Sequence, residues 1–240
     1  MQPRTPRQLS LDLATPPALG RGDFLVAPSN SAALAALDAP ADWPGGRLVL
    51  LGPEGSGKSH LAAIWAAENG ARRVSAAALH PEMADNLMPE GAALVIEDAH
   101  RAGGAAGAEQ SLFHLWNLSA ARQGLLLLTA STAPRDWGLV LPDLRSRMDA
   151  LPQVVLGPPD EALLGAVLVK LFADRQLEVA PDVIDALVLR MDRDLGLARR
   201  LVAAIDEASL AEGRRITRRL ALEALDGLTS GLDATAALDR

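Results

Sequence analysis

The sequence predicts an α/β domain built around a parallel sheet, followed by a smaller all-helical domain. Two observations carry this. Three short runs, 47–51 (RLVLL), 92–96 (AALVI) and 125–129 (LLLLT), are continuously apolar rather than alternating, as in strands covered on both faces, and helix-forming segments separate them. After about residue 157 strand patterns cease and only helical periodicity remains.

Taken in order, residues 1–20 read as a flexible tail rich in proline (Pro3, Pro6, Pro16, Pro17) around one island, QLSLDL. Leu9, Leu11 and Leu13 alternate there with polar residues, the period of an extended strand, yet the bracketing prolines leave it no obvious sheet to join. The α/β core is expected over 21–157. Its strand 47–51 stops at Gly52, and KSHLAAIWAAE (58–68) follows as a helix with Leu61, Ile64 and Trp65 at helical spacing. Strand 92–96 ends in Glu97-Asp98. Helix 108–122, with Leu112, Leu115, Trp116 and Ser119 along one side, leads directly into strand 125–129, and a last strand, QVVL, follows LPDLRSRMDAL. Pro158-Pro159-Asp160 breaks the chain and caps a helix to about 173. Pro181 starts a second, a third runs from about 195 to 212, and Thr217 caps a fourth that carries Leu220, Leu222 and Leu225. These four make the helical domain, 158–228, and 229–240 is expected to be a C-terminal tail.

Of the 240 residues 49% are apolar and 22% charged, an ordinary globular balance, and no apolar run approaches the roughly 18 residues of a membrane span. The basic N-terminus (Arg4, Arg7) lacks the apolar stretch of a secretory signal. With no cysteine, disulfide frameworks and thiolate metal sites are excluded, and a cytoplasmic protein is expected. A net charge of −7 argues against general nucleic-acid affinity, which rests on neutralising phosphates. The cluster Arg214, Arg215, Arg218 and Arg219 reads as a solvated helix face. Of the 23 basic residues only Lys58 and Lys170 are lysines, so each lysine calls for a reason.

Lys58 has one. GPEGSGKS (Gly52, Pro53, Glu54, Gly55, Ser56, Gly57, Lys58, Ser59) fits G-x-x-x-x-G-K-[ST] between a predicted strand and a predicted helix, which continues with His60. Amides of such a loop wrap phosphates, and the helix N-terminus adds partial positive charge. Lys58 is expected to reach the terminal phosphates and Ser59 to hold Mg²⁺. Glu97 and Asp98 close the second strand, where a P-loop protein keeps its magnesium-side acid. His100 and Arg101 carry no distinct signature, and the four histidines show no metal-ligand spacing. Arg145 and Arg147 in LPDLRSRMDAL, and Arg199 and Arg200 in GLARRL, read in isolation as solvated helix faces.

In order along residues 22 to 228, the P-loop, the hydrophobic run with paired acids at 94–98, LLLTAST (126–132), LRSRM (144–148) and GLARR (196–200) together resemble the AAA+ ATPases. FLVAPSN (24–30), LFHLWN (112–117) and PDLRSRM are similar to the initiator group that contains DnaA, above all to its short Hda-type regulators of replication initiation. The resemblance implies an AAA+ core with a helical lid, no C-terminal helix-turn-helix domain, and a sliding-clamp-binding motif at Gln8, Leu9, Ser10, Leu11, Asp12 and Leu13. An extended segment suits that task, offering its leucines to an apolar groove while the Gln8 amide fixes register.

By the same resemblance Lys58 and Ser59 are Walker A residues and Glu97 and Asp98 the Walker B pair, Glu97 with Ser59 on Mg²⁺ and Asp98 on the catalytic side. The Glu-Asp order departs from the usual Asp-Glu of AAA+ proteins and the Asp-Asp of DnaA-like ones. It displaces both metal and attacking water, and argues against efficient hydrolysis by this subunit. Ser131 matches sensor 1. Arg199 matches sensor 2, with Arg200 the alternative by spacing. Arg147 matches the arginine finger, with Arg145 beside it, and the aliphatics Leu25 and Val26 are assigned to the adenine. The function implied is negative regulation of initiation: ADP or ATP with Mg²⁺, ADP foremost, is held structurally, the tail docks on the sliding clamp, and Arg147 stimulates hydrolysis of DnaA-bound ATP in trans. The sliding clamp, DnaA and, in a homo-oligomer, a second copy are the partners implied, with no direct DNA binding and no membrane. The alternatives are an autonomous AAA+ motor or clamp-loader-like subunit, and a DNA-binding adaptor of the initiator kind.

Overall fold

Side chains along a strand point to opposite faces in turn, and in the computed structural model of this chain both sets are buried. The structure describes residues 20–212 and 215–238; the QLSLDL motif lies outside them. In chain order the elements are α1 (Ser31–Asp38), β1 (Arg47–Leu51), α2 (Lys58–Glu68), β2 (Arg72–Ser75), α3 (Ala84–Leu87), β3 (Ala93–Glu97), α4 (Ala106–Ala121), β4 (Leu125–Ala130), α5 (Pro142–Asp149), β5 (Gln153–Val155), α6 (Glu161–Asp174), α7 (Pro181–Arg190), α8 (Leu195–Glu212) and α9 (Arg218–Leu238). The strands form one all-parallel sheet in the order β2-β3-β4-β1-β5. Val49, Leu94, Ile96, Leu126 and Leu128 pack on one face against Leu112 and Leu115 of α4 and Leu144 and Met148 of α5. Leu48, Leu50, Val95 and Leu127 pack on the other against Leu34 and Leu37 of α1 and Leu61 and Trp65 of α2. Two covered faces explain the unbroken apolar runs.

The sequence reading contains neither β2 nor α1. β2 is an edge strand, RRVS, in which only Val74 packs inward, so no apolar run announces it. α1 buries just Ala33, Leu34 and Leu37 in eight residues, a stripe too short to stand out. Beyond the sheet, Asp160 caps α6 by accepting a 2.7 Å bond from the Leu163 amide. Helices α6 to α9 pack around Leu164, Leu168, Phe172, Leu187, Leu201 and Ile205. Residues 229–240 were expected to be a tail, whereas α9 continues to Leu238. The stretch contains no proline, and its leucines and alanines are strong helix formers.

One buried carboxylate ties α4 to the start of α5. Glu109 is 1% exposed; its Oε1 accepts from the Gly104 amide (2.9 Å) and the Val140 amide (3.1 Å), and its Oε2 from Val140 (3.0 Å) and Leu141 (2.9 Å). Burial pushes the carboxyl pKa up, but the bonds from Leu141, Val140 and Gly104 outweigh it and hold it below the usual 4.5. A depressed folded-state pKa gives stability that is present above about 4.5 and lost as pH falls through the lower folded value. Glu109→Gln is therefore expected to cost about 2 kcal/mol at neutral pH and to flatten part of the acid loss, measured by urea unfolding from pH 7 to pH 3.

Candidate nucleotide-binding site

At the head of the sheet, β1 gives way to the loop GPEGSGKS and then to α2, the arrangement the motif requires. Gly57 caps α2 with φ of +100°, a value L side chains rarely adopt. Lys58 is buried, and its Nζ donates to the carbonyl oxygens of Gly52 (2.7 Å) and Pro53 (2.8 Å), which bends the side chain over the loop. Burial pulls the ammonium below its usual pKa, while the charges of Asp98 and Glu54 oppose this. Ser59 lies exposed on the first turn of α2, whose amides have no intrahelical acceptor.

Strand geometry divides the two acids. Glu97 continues the β3 alternation onto the face of Ala93 and Val95, where β2 presents Arg73. There Arg73 Nε donates to Glu97 Oε1 at 2.9 Å and Nη2 at 2.5 Å. The carboxylate expected on the metal is thus held by the edge strand. Asp98 breaks the alternation: its backbone is left-handed (φ 53°, ψ 45°), and its amide donates to the buried Thr129 Oγ1 at 3.1 Å. That conformation costs a non-glycine residue about 1 kcal/mol and brings the Asp98 carboxylate, rather than Glu97, to bear on Lys58.

Two residues without a sequence assignment join this group. His100 Nε2 lies 3.1 Å from Ser131 Oγ, the expected sensor 1, which ties the turn after β3 to the end of β4. Burial lowers the His100 pKa, with Asp98 opposing, Arg101 and Lys58 reinforcing, and Glu54 opposing. In the sequence it carries no distinct signature, and only the fold brings it to Ser131. Phe24 packs edge-on against His60 of α2, with ring centroids 5.6 Å apart. Asn30 shapes the rest of that loop, donating from Nδ2 to Leu25 O (2.8 Å) and accepting from the Ala27 amide (2.9 Å). Leu25 is half-buried and Val26 is 63% exposed, while Ser29 O accepts from the Gly157 amide (3.2 Å) where the chain leaves the sheet.

The helical unit meets the loop from above. The Leu195 amide at the start of α8 donates to Gly55 O at 2.8 Å, and Asp194 Oδ1 accepts from the Leu197 amide at 2.8 Å. Of the two arginines that follow, Arg199 faces the P-loop helix, its Nη2 3.0 Å from His60 Nδ1, and burial lowers its pKa; Arg200 is exposed. Gly55 has φ of +70°, and a Cβ there would lie 2.1 Å from Asp194 Oδ1. Gly55→Ala is therefore expected to push α8 off the loop and weaken ADP binding about tenfold, read by titration calorimetry.

Arg147 lies elsewhere. Its Nη1 donates to Asn117 Oδ1 of α4 at 2.5 Å, and its guanidinium carbon sits 4.8 Å from the Phe113 ring centroid. Its charge acts on Arg47, the first residue of β1, whose own Nη2 donates to Trp116 O. The P-loop follows the last residue of β1, about 13 Å along the strand. Arg147 is thus at the foot of the sheet, away from the P-loop of its own chain. Arg145 is exposed on the same helix.

The loop amides, the lysine and the glycine cradle fit a nucleoside phosphate. A magnesium ion there would have Ser59 and Asp98 to draw on and would rely on phosphate oxygens for the rest. No helix among the described residues is long and apolar enough to cross a membrane.

Sheet order, P-loop and helical unit together make the α/β fold of AAA+ domains. No protein-family model matches the chain. Within that class the fold is similar to domain III of the replication initiation protein DnaA from Thermotoga maritima, with a TM-score of 0.73 and 22% identity over 88% of this chain and 97% of that one. It is also similar to a replication initiator DnaA bound to AMPPCP and single-stranded DNA, with a TM-score of 0.58 and 16% identity over 92% and 95%. The FIGL-1 AAA domain in complex with ADP gives a TM-score of 0.64 and 15% identity over 88% and 85%. The fold is therefore that of a DnaA-like AAA+ module.

Proposed function

We propose that this chain is an Hda-type regulator, a nucleotide-holding protein that stimulates hydrolysis of ATP bound to DnaA and so limits replication initiation. The observation that carries the reading is the position of Arg147, half-exposed at the foot of the sheet and remote from its own Lys58. A guanidinium there serves a neighbouring subunit's phosphates better than its own. In this reading Lys58, Ser59 and the loop amides hold ADP or ATP, Asp98 lies on the magnesium side, and Phe24 to Asn30 with Gly157 border the adenine. Arg199 and the start of α8 make the core–lid angle depend on the nucleotide. Gln8 to Leu13 dock on the sliding clamp, and this tethering raises the effective concentration near DnaA.

The tail is tested by titrating the protein against the bacterial sliding clamp, beside a variant with Gln8 and Leu9 changed to alanine. Micromolar or tighter binding that the double change abolishes is expected. Absence of binding by the intact protein removes the clamp from the account.

A second reading, an autonomous ATPase, is favoured by one observation: the left-handed turn at Asp98, tied to Thr129, takes it out of the strand alternation that sends Glu97 to Arg73, and its charge acts on Lys58. It requires turnover by the isolated protein that Asp98→Asn abolishes.

A further inference from the structure

We infer that His100 is a positioning residue for Ser131: it fixes the serine hydroxyl as a hydrogen-bond donor to the last phosphate of a bound nucleoside triphosphate, so that the site tells a triphosphate from a diphosphate. This rests on the reading of the P-loop as a nucleotide site. Ser131 is the first residue past β4, and β4 ends beside β1: Ala130 pairs with Leu51, and the Gly52 amide donates to Ala130 O at 3.2 Å. The serine therefore leaves the sheet next to the first residue of the phosphate loop, whose carbonyl also accepts from Lys58 Nζ. His100 approaches from the turn after β3, and the charges of Asp98, Lys58 and Glu54 all act on its ring. In a P-loop the backbone amides wrap the inner phosphates and the lysine reaches the outer ones. A hydroxyl supplied by the neighbouring strand, outside the loop, is placed for the last phosphate rather than for those the loop encloses.

The hydrogen-bond pattern decides what the hydroxyl does. The Ser131 amide donates to His100 Nδ1 at 3.4 Å, while Ser131 Oγ lies 3.1 Å from Nε2. A backbone N–H only donates, so Nδ1 accepts, and the hydrogen of the neutral ring stands on Nε2. Nε2 then donates to Oγ and takes one of its lone pairs. Among the described residues no carboxylate or carbonyl accepts from the hydroxyl hydrogen, which is left to donate outward. That is what a phosphate needs, since its oxygens accept. A serine by itself rotates between donating and accepting; engaged by both ring nitrogens it keeps one role. The turn is also held at Asp98, whose amide donates to Thr129 Oγ1 at 3.1 Å, so it has an anchor besides the ring.

The test is titration calorimetry of the full chain with Mg²⁺ and, separately, ADP and the non-hydrolysable triphosphate AMPPCP. His100→Leu and Ser131→Ala are each expected to lower AMPPCP affinity about tenfold, the loss of one hydrogen bond to a charged group, and to leave ADP affinity within about twofold. His100→Gln is expected to keep most of the AMPPCP affinity, because its side chain can accept from the Ser131 amide through Oε1 and donate to Oγ through Nε2. His100→Leu should cost nothing further once Ser131 is alanine. Equal losses for both ligands, with no rescue by His100→Gln, mean a purely structural role for the ring and overturn the inference. So does wild-type AMPPCP affinity in Ser131→Ala. Should His100→Leu not fold, Ser131→Ala and His100→Gln carry the comparison by themselves. Failure of the unaltered protein to bind either ligand removes the nucleotide site itself, and the inference with it.

Discussion

Arg147→Ala is expected to lower stimulation of DnaA-bound ATP hydrolysis by about 10³ or more, within the range that arginine fingers supply to phosphoryl transfer. The same variant should keep its own ADP affinity and its stability within about 0.5 kcal/mol, because the side chain is half-exposed and makes one hydrogen bond and one ring contact. The contrast is what matters. A residue serving this chain's own site would lose both activities together, whereas one at the foot of the sheet loses only the partner's. Arg147→Lys should not rescue the rate, since a point charge on a flexible stem lacks the planar fork that spans two phosphate oxygens.

Lys58→Met carries the second large effect, a fall in nucleotide affinity of about 10²–10³. Charge-assisted hydrogen bonds to phosphate contribute roughly 1.5–3 kcal/mol each, and Lys58 is placed to make them. Methionine keeps most of the volume, so the empty protein should unfold at an unchanged temperature or slightly higher, because a buried charge has been removed. What disappears is the gain on adding ligand, about 2.7 kcal/mol at a hundredfold excess over the dissociation constant. Thermal melts with and without 1 mM ADP report both quantities. Retention of the ADP-induced shift in Lys58→Met would place the nucleotide elsewhere.

Much of this site lies open in the sequence because its elements obey local rules. The glycines, Lys58 and the run before them spell a strand, a phosphate loop and a helix within one stretch, and Asp160 and Thr217 announce their helices by capping. Thr217 Oγ1 does accept from the Leu220 amide, at 3.3 Å. Other features depend on what the fold brings together, and no local rule encodes that. β2 exists because β3 offers it an edge, not because RRVS favours a strand. Adjacent in sequence, Glu97 and Asp98 look equivalent; strand parity sends one to Arg73 and a left-handed turn sends the other toward Lys58. The choice between Arg199 and Arg200 needs the orientation of α8 on the P-loop. Asn117, 30 residues from Arg147, gives no sign in the sequence that it holds it.

The same division bears on hydrolysis by this subunit. With Glu97 engaged by Arg73, Asp98 is the member of the acid pair whose charge acts on Lys58, alongside Glu54 of the loop, whereas phosphoryl transfer to water needs both a held metal and a positioned water. In the proposed reading nucleotide binding draws chiefly on the loop amides and Lys58, which the Arg73–Glu97 pair does not engage. A subunit that uses its nucleotide as a structural part and acts on a neighbour's, as proposed above, is expected to bind tightly and turn over weakly.

The most direct measurement asks whose nucleotide is consumed. Two parallel single-turnover reactions would contain this protein, DnaA, the sliding clamp and DNA, with radiolabelled ATP preloaded on DnaA in one and on this protein in the other, each under excess unlabelled ATP. The account predicts rapid release of labelled phosphate only when the label starts on DnaA, and only while Arg147 is intact. Release only when the label starts on this protein, dependent on Asp98 and indifferent to Arg147, would contradict it and make the chain an ATPase in its own right.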